Sequence, residues 1–287
     1  MYGVAFSPDD LFVVSASQDG TARLWGLTQR ACLVRYVAHA SPVWGVAFAP
    51  FGSYFVTTGY DRTARVWSVE HTQPLRLLRG HQADVRCAAF HPNVSLLATG
   101  GDDTSVRLWD WGDDPSAAPS DGPSSRKNHP TAKCVRLLCT RGHTAAVCCL
   151  AIADAGRHLA SGGEDHVAVL WDLASGEAVR RLSGAHSKPV WSVAFSAEGA
   201  QLASGSADGS IAIWDAHATI PADANADADA DAGGAGSLLR RVHTKFTPVL
   251  AVTFSRANLL LAAGSYQPPG PATDDCHNTS TCTIYSR

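Results

Sequence analysis

The sequence predicts an all-β fold, a β-propeller, on three observations: one motif recurs at near-constant spacing, polar residues keep register with it, and short strands of period two lie between the marks. Five segments share the motif: DGTARLW (Asp19 to Trp25), DRTARVW (Asp61 to Trp67), DTSVRLW (Asp103 to Trp109), DHVAVLW (Asp165 to Trp171) and DGSIAIW (Asp208 to Trp214). Their tryptophans are 42, 42, 62 and 43 residues apart, the long interval being one period plus an insertion. A hydroxyl side chain lies four residues before each aspartate, as Ser15, Thr57, Thr99, Ser161 and Ser204. Four histidines, His39, His81, His143 and His186, each lie 22 residues before an aspartate and follow Gly or Ala.

Within a repeat, stretches such as VWGVAF (Val43 to Phe48) and VWSVAF (Val190 to Phe195) read as strands, and SPDD, APFG and SAEG read as turns. About four strands per repeat make a blade. One blade cannot bury both faces, so blades packed side by side cover each other. The repeat begins at Met1, which falls at the first position of an innermost strand. A sixth unit shows as TPVLAVTF (Thr247 to Phe254) and NLLLAAGSY (Asn258 to Tyr266), with Lys245 and Gln267 where His and Asp are expected. The expectation is five blades, whole or nearly so, plus a partial sixth over residues 1–270, then an irregular tail over 271–287 in which Thr281 to Tyr285 could pair as a strand. Two low-complexity insertions, 112–132 and 219–236, follow tryptophan strands and are expected to be flexible loops on one face.

Composition narrows the function. The 287 residues are 45% apolar, enough for a large core, and the net charge of -3 lacks the basic excess of a nucleic-acid binder. Met1 to Asp10 has no basic then apolar leader, and no apolar run approaches a membrane span, so a soluble intracellular protein is expected, with no direct contact to nucleic acid or membrane. The eight cysteines lie mostly in apparent strands, as Cys87, Cys148 and Cys149 do, and are expected to be buried, reduced thiols. Cys134 with Cys139, and Cys276 with His277 and Cys282, lack the paired CxxC spacing of a zinc site, so neither metal nor cofactor is expected. A Ser–His–Asp set suggests a hydrolase triad, but a catalytic site is built once and this set recurs in four copies. No enzyme is expected.

These residues resemble the WD40 family over roughly residues 1 to 266. The resemblance implies hydrogen-bonded structural tetrads: His39, Thr57, Asp61 and Trp67; His81, Thr99, Asp103 and Trp109; His143, Ser161, Asp165 and Trp171; His186, Ser204, Asp208 and Trp214. A satisfied buried network of this kind fixes strand register. Propellers of the family usually close with seven blades, which implies that sequence upstream of this chain is missing. Carried over by register, the family's binding positions are Tyr2, Trp44, Arg86, Cys148, Trp191 and Leu250 in the innermost strands and Gln18, Tyr60, Asp102, Glu164 and Ala207 before the turn aspartates. Tyr2, Trp44, Tyr60, Arg86 and Trp191 are the side-chain types of binding hot spots and form the expected partner-binding face. For Trp44 and Trp191, packing between blades is an equal alternative, whereas Tyr60 and Arg86 have less reason to be core.

Within the WD40 proteins, the stretches from Tyr2 to Trp25, from Ser41 to Asn93 and from Thr247 to Pro268 resemble the propellers of the TFIID subunit 5 family, the HTQPLR segment (His71 to Arg76) and the LLLAAGSYQP ending most of all. That resemblance implies a nuclear scaffold docking histone-fold TATA-binding-protein-associated factors within TFIID or SAGA-like complexes. Two rival scaffolds use the same tetrads: a dynein regulator of the lissencephaly type, and a substrate receptor of a cullin ubiquitin ligase. The second commonly carries an arginine two residues after the WD dipeptide, where this chain has Gly112 and Ala174.

Overall fold

The computed structural model describes residues 1–111, 133–138, 142–153, 155–217, 238–244, 247–255, 257–265 and 280–284, the side chains of the last five and of residue 265 excepted. The expected flexible insertions, Lys245 and Gln267 lie outside the described residues. The chain divides into two compact units, Met1–Cys139 and Thr140–Arg287.

The first unit holds three four-stranded antiparallel sheets, each with its strands side by side in chain order. They are β1 (Gly3–Phe6), β2 (Phe12–Ala16), β3 (Thr21–Gly26) and β4 (Ala31–Val37); β5 (Val43–Phe48), β6 (Tyr54–Gly59), β7 (Thr63–Ser68) and β8 (Pro74–Arg79); and β9 (Val85–Phe90), β10 (Leu96–Gly101), β11 (Val106–Asp110) and β12 (Lys133–Leu138). The second unit holds two such sheets and a three-stranded one. Its strands are β13 (Val147–Ile152), β14 (His158–Gly163), β15 (Ala168–Asp172) and β16 (Glu177–Leu182); β17 (Val190–Phe195), β18 (Gln201–Ser206), β19 (Ser210–Asp215) and β20 (Leu238–His243); and β21 (Val249–Phe254), β22 (Leu260–Ser265) and β23 (Ser280–Ile284). These are the blades of a β-propeller, five complete and a sixth partial. Within the stretch expected to be irregular, β23 pairs antiparallel with β22.

Turn chemistry sets the hairpins. The residue after each turn aspartate, Gly20, Arg62, Thr104, His166 or Gly209, has a positive φ. The aspartate carboxylate accepts the N–H of the next residue but one in every copy, from Thr21, Thr63, Ser105, Val167 and Ser210. A short carboxylate that caps its own turn lets even Arg, Thr and His hold the left-handed conformation.

Blades bury their faces against neighbours. In the first unit, Val14, Ala22, Leu24 and Tyr36 of the first sheet pack with Phe55 and Trp67 of the second, and Val56, Ala64, Val66 and Leu78 of the second pack with Leu97 and Trp109 of the third. In the second unit, Ala160, Ala168 and Leu182 meet Leu202 and Trp214, while Ala203 and Ile211 meet Val249 and Val252. The first three of these contacts share one plan, in which the tryptophan face of a blade lies against the blade before it.

The cysteines depart from expectation. Cys87, Cys134, Cys148 and Cys149 are only half-buried, and Cys32 is exposed. Cys87 and Cys149 sit on innermost strands, which are half-buried along most of their length, with their thiols toward the carbonyls of Gly100 and Gly162 at 3.8 Å. Cys139, Cys276 and His277, and the side chain of Cys282, lie outside the described residues.

Candidate functional site: a protein-docking face

Two polar systems recur in the blades, one buried and one exposed. The buried one centres on the strand hydroxyl. Thr57, Thr99, Ser161 and Ser204 each accept the indole N–H of their tryptophan, Trp67, Trp109, Trp171 and Trp214, at 2.9, 2.7, 2.8 and 2.9 Å. Each lies 2.7 Å from Nε2 of its histidine, His39, His81, His143 or His186. Because the indole only donates, the neutral Nδ1–H tautomer satisfies the whole chain: hydroxyl to Nε2, and Nδ1–H to an acceptor beyond. That acceptor is the turn aspartate for His39, His81 and His143, at 3.0, 3.0 and 2.9 Å from Asp61, Asp103 and Asp165. Burial works to raise these three carboxyls, but the histidine hydrogen bond and other donors hold them below the usual carboxylate value.

The fourth copy differs. His186 Nδ1 meets the hydroxyl of Ser210 at 2.8 Å and stands 3.8 Å from Asp208. A Cβ added at Gly59, Gly101 or Gly163 would come within 2.8, 2.8 or 2.6 Å of the histidine Nδ1. The fourth copy has Ser206 at this position, with a real Cβ, so the histidine cannot close on its aspartate. Burial then dominates and pushes His186 down to about 4.

Arginines that the motif comparison passed over complete the network. Arg23, Arg65 and Arg107, four residues after their aspartates, lie 3.2, 3.3 and 3.8 Å from Asp19, Asp61 and Asp103. In the two copies where Val169 and Ala212 replace that arginine, the cross-strand partner supplies it: Arg181 opposite Val169 and Arg241 opposite Ala212, at 3.3 Å from Asp165 and 3.5 Å from Asp208. The signal was the Arg-Arg pairs at 180–181 and 240–241.

The exposed system arises from a bulge. In the second to sixth blades the innermost strand slips register against its neighbour at one residue: Trp44, Arg86, Cys148, Trp191 and Leu250. A bulge leaves that residue unpaired and re-aims its side chain. The residue before each turn aspartate lies beside it, because Tyr60, Asp102, Glu164 and Ala207 donate their N–H to the carbonyls just before these strands, of Pro42, Asp84, Ala146 and Pro189.

In the first unit this system is contiguous. The Tyr2 and Trp44 rings lie 4.6 Å apart, and those of Trp44 and Tyr60 6.5 Å apart. Trp44 donates its indole N–H to Asp84 at 3.2 Å. Arg86, on the innermost strand of the next blade, holds Asp102 with Nε at 2.5 Å and a second nitrogen at 3.2 Å. Tyr2 and Tyr60 are 50% and 54% exposed, whereas Trp44 and Arg86 are half-buried. Trp44 packs against Tyr2 of the preceding blade and stays half-exposed. Gln18 and Glu164 are exposed, Asp102 and Ala207 half-buried. In the second unit Trp191 and Leu250 are exposed and Cys148 is half-buried.

Comparison with curated proteins finds no match. A protein-family model described as "WD domain, G-beta repeat" matches residues 1–26, 30–68, 72–110, 132–172 and 176–215. Those ranges take in all five complete blades, apart from the last outer strand, together with every tetrad residue, so by its repeats the chain belongs to the WD40 family.

Proposed function

We propose that the chain is a scaffold whose exposed aromatic face, built from Tyr2, Trp44, Tyr60 and Arg86, docks partner proteins, and that its setting is a TFIID or SAGA-like transcription complex with histone-fold partners. WD40 domains mediate protein–protein interaction, and the family is typically a non-catalytic scaffold. The observation that carries the docking face is the repeated bulge, which turns one side chain per blade out of the ladder and, in the first unit, gathers aromatic and arginine side chains of the hot-spot kind. What supports the finer setting is the likeness of the segments around His71 to Arg76 and Leu259 to Pro268 to the TFIID subunit 5 family. A nuclear location belongs to the same proposal.

Affinity purification of the tagged native protein, with mass spectrometry of what accompanies it, tests this. Recovery of the TATA-binding protein and histone-fold factors is the expected result. Recovery of dynein subunits or a cullin adaptor without them would overturn the transcription setting and leave the scaffold.

A further inference from the structure

The docking face also carries information about what it receives. We propose that the Tyr2–Trp44–Tyr60 patch, together with the Asp84 carboxylate, receives a basic side chain, lysine or arginine, from a segment of the partner; this rests on the docking face argued above.

Trp44 stands between two half-exposed tyrosines, with ring planes tilted 57° and 59° to its own. Its N–H is committed to Asp84, which fixes the indole about its side-chain torsions, and the ring remains half-exposed. Aromatic faces carry partial negative charge and attract a cation within about 6 Å of the ring centre.

Asp84 adds a full charge beside these rings. Among the described residues it forms no ion pair, and Trp44 is its side-chain hydrogen-bond donor. The neighbouring guanidinium of Arg86 is engaged by Asp102, and Arg62, exposed on its turn, acts on Asp84 only at a distance. Burial pushes the Asp84 carboxyl up, with the Asp102 charge acting the same way, so the cations nearby do not compensate it.

An incoming aliphatic group would strip water from Asp84 and leave it unpaired, and an acidic group would meet both like charge and ring faces. A lysine or arginine side chain satisfies both features: its methylene stem covers the rings and its head reaches the carboxylate.

The test follows the Trp44 indole N–H resonance in the full chain, assigned by its loss in Trp44→Phe, during titration with the N-acetyl methylamides of lysine, arginine, norleucine and glutamate up to tens of millimolar. Saturable shifts with the lysine or arginine compound, roughly tenfold tighter than with norleucine, are expected. Asp84→Asn, which keeps an acceptor for the indole but removes the charge, should weaken that binding about fivefold. An equal response to norleucine, no response to any compound, or no effect of Asp84→Asn would overturn the proposal. Partner recovery with Tyr60→Ala separates the two claims. If recovery falls but no basic preference exists, the docking face stands and the basic group does not; if the basic preference exists and recovery is unchanged, the docking face itself fails.

Discussion

Trp25 and Trp67 occupy the same place in adjacent blades and make the same hydrogen bond, to Ser15 and Thr57, each at 2.9 Å. Yet Trp25 is 36% exposed and Trp67 only 1%. The difference lies in the neighbour: Tyr36, Leu24 and Val14 of the first blade cover Trp67, while the sheet face bearing Val4, Phe6 and Trp25 stays exposed among the described residues. A tetrad therefore fixes the position of its tryptophan, and the blade before it supplies the burial.

The largest effect that probes this contrast comes from the tryptophans. Trp67→Ala should cost about 4 kcal/mol, through lost transfer energy, a cavity and an unpaired threonine hydroxyl, whereas Trp25→Ala should cost about 1 kcal/mol. Urea unfolding of the two variants checks it; equal losses would mean that the neighbouring blade contributes little.

Next is the histidine link. His81→Ala strands the buried Thr99 hydroxyl and removes a donor from Asp103, and should cost about 2–3 kcal/mol by the same assay. A loss under about 0.5 kcal/mol would show the network to be decorative rather than structural.

The fourth tetrad sharpens the comparison through pH. Folded His186 is pushed down to about 4 from an ordinary value of 6.5. The unfolded chain therefore takes up this proton first, and stability from this group, whole above the ordinary value, falls as pH drops from 6.5 toward 4 and then levels; the loss is on the order of 3 kcal/mol. Ser206→Gly should let His186 close on Asp208, raise its titration point in NMR and shrink that acid-side loss. Ser210→Ala should leave His186 apart from Asp208, because the Ser206 Cβ remains and Ser105, at the equivalent place in the second tetrad, does not stop His81 from meeting Asp103 at 3.0 Å. An unmoved His186 in Ser206→Gly would contradict the steric account.

Much of this was legible in the sequence, for definite reasons. Hydrogen-bonding groups at fixed spacing announce a repeated network, and aspartates before left-handed turn residues announce the hairpins. The fourth tetrad's gap was written in the change from Gly59, Gly101 and Gly163 to Ser206, but a Cβ acts only in three dimensions, where it meets an imidazole. The bulges at Trp44, Arg86 and Trp191 leave no mark on a period-two pattern, since the extra residue looks like one more step of the strand. Trp25 could not be distinguished from Trp67 at all, because burial by a neighbouring blade is no property of the motif. The half-buried cysteines went astray likewise: a strand position says which face a thiol takes, not whether that face is covered.

The central claim is that binding belongs to the exposed bulge-and-turn residues and folding to the tetrads. It is tested most directly by measuring partner recovery for Tyr60→Ala beside its urea unfolding curve. The account predicts that recovery falls roughly tenfold while stability stays within about 0.5 kcal/mol of the parent. Undiminished recovery at unchanged stability would contradict it.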